Sequence, residues 1–113
     1  MLFEWDENKN FINKRKHKVG FETALRVFDD PFLLTSLDTR FRYYEERWET
    51  IGLIDESLIS VLHTIEAYHE EEIIRIITAR KTNSSETRRY YINRGHERGI
   101  TSVKSDERQR DRL

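Results

Sequence analysis

The segment Ile73-Ile74-Arg75-Ile76-Ile77-Thr78-Ala79-Arg80 decides the fold that this sequence predicts. Apolar residues occur at both odd and even positions, so both faces of a strand formed by this segment would be largely apolar. This pattern is typical of a strand buried on both faces. Strict alternation places Arg75 and Arg80 on opposite faces of that strand. Arg75 then needs a partner, and the structural interpretation is a salt bridge with Glu49 or Glu66. In the functional interpretation, Arg80 at the strand end binds a phosphate.

Three other strand candidates precede this segment, and all are rich in β-branched and aromatic residues. They cover residues 32–35, 47–52 and 58–65, and residues 3–5 form a short edge strand. Residues 55–57 are few enough for a hairpin turn, and residues 66–71 allow a looser one. Such short connections predict an antiparallel meander.

Two helices are predicted before the meander. Asp6 is a plausible N-cap for a helix that runs to His17, with Phe11 and Ile12 as its thin apolar face. Gly20 breaks this helix. Residues 21–28 then have apolar side chains at helical spacing and predict a second helix, which ends before Pro31.

A third helix is predicted after the meander, capped by Asn83 or Ser84, with Glu86 in its first turn and its end near Gly95. The predicted class is therefore α+β, with the helices packed on one face of a small antiparallel sheet. Residues 1–94 form a single domain in this interpretation. Residues 95–113 form a charged tail that we expect to be disordered.

Composition limits the function classes. The 113 residues contain no cysteine, which excludes disulfides and thiol nucleophiles. Apolar runs are too short for a membrane span and no secretory signal is visible, so we expect a cytoplasmic protein without a membrane partner.

The net charge of −1 averages segments of opposite sign. Residues 1–20 carry +2, residues 21–78 carry −8, and residues 79–113 carry +5. This charge pattern is compatible with two interpretations. Either the two basic segments together bind a polyanion, or the charged residues simply form solvated faces.

His63 can be interpreted either as a catalytic residue or as a buried core residue. It lies among β-branched residues, where a lone histidine is more often a satisfied core residue than a catalyst. No second histidine follows at ligand spacing, so we expect no zinc or iron site and no metal cofactor.

An ordered set of motifs resembles the BrnT toxin family, and the likeness runs from Phe3 to about Tyr91. The motifs are Phe3-Glu4-Trp5-Asp6-Glu7-Asn8-Lys9-Asn10, Lys16-His17, Val19-Gly20-Phe21-Glu22-Thr23-Ala24, Val27-Phe28-Asp29-Asp30-Pro31, Glu46-Arg47, Ile51-Gly52, Val61-Leu62-His63-Thr64 and Arg75-Ile76-Ile77-Thr78-Ala79-Arg80-Lys81.

The resemblance implies a RelE-like fold and the toxin of a bacterial type II toxin-antitoxin system, which cleaves RNA without a metal. It also implies a cognate antitoxin, a BrnA-like ribbon-helix-helix protein that binds DNA, and a possible higher-order complex with it. The implied catalytic residues are Arg80, Arg75, His63, Arg47 and Tyr90, and the implied RNA-binding residues are Lys14, Lys16, His17 and Arg88.

One departure from the family supports an alternative. Ile65 and Glu66 stand where members of the family often carry an acidic residue and an arginine. The alternative is a catalytically weak or inactive module that pairs with a DNA-binding antitoxin. Direct DNA binding by the basic ends is a weaker possibility, because no helix-turn-helix pattern is visible.

Overall fold

The protein is an α+β domain in the computed structural model, which describes residues 1–40 and 44–97. Its helices and strands follow in the order β1 (Leu2–Glu4), α1 (Glu7–His17), α2 (Phe21–Ala24), a 3₁₀-helix (Leu25–Asp29), β2 (Leu34–Leu37), β3 (Trp48–Ile54), β4 (Ser57–His63), β5 (Glu66–Tyr68), β6 (Glu71–Lys81) and α3 (Ser84–Glu97).

The sheet is mixed, with strand order β1-β6-β4-β3-β2 and β5 also paired with β6. The predicted antiparallel sheet is correct for every pair except β1 and β6, which run parallel. Most of the chain separates these two strands, so no hairpin forces them to be antiparallel. The looser turn predicted at residues 66–71 instead contains β5, which pairs with the start of β6.

The hydrophobic core lies between one sheet face, here called the core face, and the segment from α2 to the 3₁₀-helix. Val61, Ile74 and Ile76 are buried there with Phe21. Gly52 allows the 3₁₀-helix to approach β3, because a Cβ at this position would lie 2.7–2.9 Å from atoms of Val27.

The single helix predicted at residues 21–28 is divided between α2 and the 3₁₀-helix. Phe21, Ala24 and Val27 are the fully buried residues of this segment. They follow each other at intervals of three, which is the period of a 3₁₀-helix rather than of an α-helix. The tighter winding therefore keeps one continuous stripe against the sheet.

Helix α1 begins as predicted. The carboxylate of Asp6 accepts hydrogen bonds from the backbone N–H groups of Asn8 (2.8 Å) and Lys9 (3.2 Å). The helix ends at His17 because Lys18 adopts a left-handed conformation (φ 63°), two residues before the predicted break at Gly20.

The buried face of α1 is polar, so the predicted apolar face is wrong. Phe11 and Ile12 are 61% and 59% exposed, whereas Asn10 and Asn13 are buried. Asn10 accepts a hydrogen bond from the first N–H of α2, that of Phe21 (2.9 Å). It thereby supplies the cap that Gly20, which has no side chain, cannot provide.

Asn13 joins α1 to the edge of β6. Its amide group donates to the carbonyl oxygen of Ala79 (2.8 Å) and accepts from the Ala79 N–H (3.2 Å). The same amide also donates to the carbonyl oxygen of Val19 (2.8 Å). One side chain therefore takes the place of a neighbouring strand where β1 no longer pairs with β6.

Helix α3 lies against the face opposite the core face, where its residues Glu86 and Arg89 contact Arg80 and Glu49. The prediction that all helices share one face is therefore wrong. The predicted capping box is present: Asn83 accepts from the N–H of Glu86 (2.8 Å), and Glu86 accepts from the N–H of Asn83 (3.0 Å). The helix continues to Glu97, beyond the predicted end at Gly95. Residues 95–97 of the predicted tail (95–113) belong to this helix, and residues 98–113 lie outside the described residues.

Replacing Asn13 with alanine should lower the free energy of unfolding by about 2 to 4 kcal/mol, because the buried polar groups of Ala79 and Val19 lose their partners. The matched control is Asn8→Ala on the exposed side of the same helix, which should change stability by less than about 0.5 kcal/mol. Urea denaturation followed by circular dichroism measures both. Equal stability of the two variants would refute the role of Asn13.

Candidate functional site

A β-bulge in β6 brings Arg75 and Arg80 to the same face of the sheet. Pairing with β4 shifts between Thr78 and Ile76, so that Ile77 is the extra residue. Ile76 and Ala79 are both buried on the core face even though three positions separate them. The strict alternation predicted for this strand is therefore wrong. Both arginines project from the opposite face, here called the arginine face.

The guanidinium group of Arg80 forms a bidentate ion pair with Glu86. Its Nη1 and Nη2 atoms lie 2.8 and 2.7 Å from the two carboxylate oxygens. Nη1 also donates to the carbonyl oxygen of Lys81 (3.2 Å). The side chain of Arg80 is still 30% exposed, whereas that of Glu86 is 5% exposed. The arginine can therefore be reached from solvent, and its carboxylate partner largely cannot.

The capping box fixes the carboxylate of Glu86 in front of Arg80. Hydrogen bonding from Arg80 lowers the pKa of Glu86 to about 2, against the desolvation that burial imposes. The same contact raises the pKa of Arg80. Both groups are therefore charged at neutral pH.

Glu49 is a second carboxylate of the arginine face. It is 7% exposed and accepts a hydrogen bond from the hydroxyl of Ser60 (2.6 Å). Nη2 of Arg89 lies 3.4 Å and Nη2 of Arg80 lies 3.8 Å from its oxygens. Glu49 thus connects β4, β6 and α3 at one point of the surface.

Arg75 and Arg47 share one carboxylate. The Nη2 atoms of Arg75 and Arg47 lie 2.6 and 3.4 Å from Oε2 of Glu45. The partner of Arg75 is therefore Glu45 and not Glu49 or Glu66 as predicted. The hydrogen bond from Arg75 is the largest cause of a lowered pKa at Glu45. Two guanidinium groups on one carboxylate give this group of three side chains a net positive charge.

His63 lies on the core face, away from the arginine face. It is fully buried, with Nε2 2.7 Å from the hydroxyl of Thr50 and Nδ1 3.0 Å from the carbonyl oxygen of Thr64. The ring of Phe28 packs edge-on against it at 5.1 Å. Burial lowers the pKa of His63, so the ring is neutral at neutral pH. These contacts match the core interpretation of this residue.

Tyr90 is also fully buried. Its hydroxyl donates to Asp30 at 2.5 Å, and the same carboxylate accepts from the N–H groups of Leu53 and Phe32 (both 2.8 Å). Burial, followed by the contact with Asp30, raises the pKa of Tyr90 to about 12. The side chain therefore anchors α3 and keeps its proton at neutral pH.

The basic residues predicted to bind RNA lie in different surroundings. Lys14 forms an exposed ion pair with Glu22 (3.5 Å). Lys16 and His17 border a groove between α1 and β6. Arg88 is exposed on α3. Desolvation, then Lys16, then Arg80 lower the pKa of His17, so the end of α1 is close enough to the arginine face to sense its charge.

Comparison with known families assigns the chain. The sequence profile described as the ribonuclease toxin BrnT of a type II toxin-antitoxin system matches residues 5–86. The chain belongs to the BrnT toxin family. A ribonuclease toxin of such a system has an antitoxin as its partner. No curated protein matches the chain.

The family match contains most of the arginine face. Arg47, Glu49, Arg75, Arg80 and Glu86 lie within the matched residues. The α3 residues Arg88, Arg89 and Tyr90 follow the end of the match.

Sequence reasoning did not place Glu49, Ser60 or Arg89 in the BrnT-family candidate site. The sequence indicates Glu49 only as a partner for Arg75, and no motif marks Arg89. The capping-box pattern does single out Glu86, but only as part of a helix start. Its contact with Arg80 is not visible in the sequence, because the position of Arg80 depends on the bulge.

Residues 1–40 and 44–97 contain neither a membrane-spanning helix nor a cluster of metal-binding side chains. No helix there is long and apolar enough to cross a membrane. Within the same ranges, no three His, Asp or Glu side chains are grouped closely enough to hold a metal ion.

The ion pair of Glu86 with Arg80 should make stability depend on pH in the acid range. The pKa of Glu86 falls from an ordinary 4.5 to about 2 on folding. The pair therefore stabilises the protein above about pH 4.5, and this contribution is lost as the pH falls towards 2. We expect the unfolding free energy of Glu86→Gln to decline less than that of the wild type over this interval, measured by urea denaturation.

The control for this experiment is Glu56→Gln in the exposed β3–β4 turn, which should keep the wild-type pH dependence. An identical decline for Glu86→Gln and the wild type would contradict the assignment.

Proposed function

We propose that this chain is a RelE-like toxin that cleaves RNA without a metal and is neutralised by a BrnA-like ribbon-helix-helix antitoxin in the bacterial cytoplasm. The observation that carries the proposal is the bulge, which gives Arg75 and Arg80 a common face next to Arg47 and Arg89. Membership of the BrnT family supports it.

The chemistry of metal-free RNA cleavage explains the need for arginines. The 2′-hydroxyl attacks the adjacent phosphate, and the additional negative charge of the pentavalent species must be offset. A guanidinium group offers two parallel N–H donors that match two phosphate oxygens. Arg80 is the primary candidate for this role, since it is partly exposed at the strand end and held in a fixed position. Arg75 and Arg47 are candidates for contacts with neighbouring phosphates.

The other predicted catalytic residues take structural roles in this proposal. His63 and Tyr90 are fully buried and already hydrogen-bonded, so neither can reach RNA without a rearrangement. The proton transfers to and from RNA must then use groups on the arginine face or water. Glu49 is a carboxylate of that face and lies 3.8 Å from Arg80.

One observation favours the second candidate function, a binding module with weak or no activity. Arg80 and Arg89 face Glu49 and Glu86, so these four side chains carry no net charge. An RNA phosphate must compete with Glu86 for Arg80. If it cannot, the remaining role is to bind the antitoxin and adjust its affinity for operator DNA.

The first experiment removes the charge of Arg80 without leaving a buried carboxylate unpaired. In the double variant Arg80→Gln, Glu86→Gln, both side chains stay polar and of similar size. The full chain should cleave RNA in EDTA, and the double variant should be slower by roughly 100-fold, the cost of losing one charge-stabilising group. Cleavage is followed by gel electrophoresis of labelled RNA, and thermal unfolding verifies the fold.

Arg26→Gln is the matched control, because Arg26 forms an exposed ion pair with Asp55 in another part of the molecule. It should cleave like the wild type. Normal cleavage by the folded double variant would exclude Arg80 from the reaction, and stimulation by Mg²⁺ together with inhibition by EDTA would refute metal independence.

The second experiment distinguishes the toxin from the binding module in cells. Induced expression of the chain should arrest growth, and co-expression of a ribbon-helix-helix protein encoded next to it should restore growth. The double variant of Arg80 and Glu86 should not arrest growth. Normal growth with the soluble wild-type chain, together with tight binding of that neighbour, would support the binding module instead.

A further inference from the structure

A groove between α1 and β6 opens beside the arginine face. Ile12 and Ile77 form its apolar part, and Lys9, Lys16 and His17 form its basic border. Among residues 1–40 and 44–97, no acidic side chain lines the groove. This separates it from the arginine face, where Arg47, Arg75, Arg80 and Arg89 each form an ion pair with a carboxylate.

The bulge and the amide of Asn13 together form the groove. Asn13 fastens α1 to β6 at Ala79, next to the strand residues Ile77 and Thr78 that line the groove. The extra residue of the bulge, Ile77, is half-buried and faces this opening. Across from it, Ile12 remains 59% exposed on α1.

The groove lies close to Arg80 on strand β6. Thr78 lines the groove and lies on the same face of β6 as Arg80, two residues before it, a distance of about 6.6 Å along the strand. The charge of Arg80 is also among the causes of the lowered pKa of His17 at the border of the groove. A ligand held by Arg80 that extends past Thr78 therefore reaches a groove whose described lining residues carry no negative charge.

We infer that the groove binds the nucleotide next to the phosphate held by Arg80, and that it selects single-stranded RNA. This inference rests on the proposed function and adds a subsite to it. Lys9 and Lys16 contact the phosphate backbone. The base lies against Ile12 and Ile77, which requires it to be unstacked from its neighbours, as in a single strand.

The polar groups of the groove give it a means of selecting bases. The hydroxyl of Thr78 donates or accepts, and the ring of His17 offers one donor and one acceptor when neutral. The edge of the bound base is thus read by groups that lie outside the arginine face. Cleavage preference should then depend on α1 as well as on β6.

Binding to an RNA that cannot be cleaved tests the subsite separately from catalysis. The probe is a fluorescein-labelled dodecamer of random sequence with 2′-O-methyl groups at every position, which removes the attacking hydroxyl. Fluorescence anisotropy gives its affinity for the full-length chain. Ile12→Ala and Lys16→Gln alter exposed side chains, so both variants should fold, and thermal unfolding verifies this.

Each test variant has a neighbouring control with the same chemical change. Phe11→Ala removes an exposed apolar side chain beside Ile12, and Arg15→Gln removes a positive charge beside Lys16. Phe11 and Arg15 pack on each other (5.7 Å) and do not line the groove.

We expect Ile12→Ala and Lys16→Gln to weaken binding about three- to tenfold, as for the loss of one base or phosphate contact. For Lys16→Gln, the slope of log affinity against log salt should also fall by about 0.7. Both controls should bind like the wild type. Double-stranded RNA of the same length should compete poorly with the dodecamer.

Three negative outcomes are distinguishable. If the wild type binds the dodecamer and the groove variants bind it equally well, the subsite is refuted and the proposed function stands. If the wild type neither binds the dodecamer nor cleaves RNA, both the subsite and the proposed function are refuted. Equal losses in the groove variants and their controls would show a non-specific charge or surface effect and would also overturn the subsite.

Discussion

The bulge at Ile77 is the constraint on which the candidate site depends. A single extra residue in β6 reverses which side chains face the core, so that Ile76 and Ala79 are buried together while Arg75 and Arg80 share the other face. With regular alternation, one of these arginines would project into an apolar core, at a high cost in desolvation. The bulge therefore satisfies the core and assembles the arginine face at the same time.

The second determinant is a polar bridge where apolar packing would be the usual solution. Helix α1 contacts β6 through the amide of Asn13, which pairs with both backbone groups of Ala79 at the edge of the sheet. A side-chain amide has the same donor and acceptor as a peptide group, so it can extend a ladder that β1 leaves incomplete. Burial of this amide depends on full satisfaction of its hydrogen bonds.

These two features explain how far the sequence could be interpreted. Local signals were sufficient for the N-cap at Asp6, the capping box at Glu86 and most of the strands, because each depends on a few adjacent residues. The inner face of α1 could not be found by searching for apolar residues, since the buried positions are asparagines. The common face of Arg75 and Arg80 could not be found either, because the bulge shows itself only in the pairing of β6 with β4.

The charges of the candidate site suggest that the arginine face and the α1–β6 groove have different roles in the proposed function. Glu86 is held by the cap of α3 and is almost inaccessible, so it cannot move away with Arg80 when a phosphate arrives. Arg80 is positioned well but is already neutralised, which makes it a weak source of RNA affinity. In the part of the chain that the structure describes, no acidic group lines the α1–β6 groove, so its lysines would attract the backbone of the proposed RNA substrate from a distance. In the proposed function, affinity for RNA then arises mainly in the groove, and the arginine face is specialised for the charge that develops during cleavage.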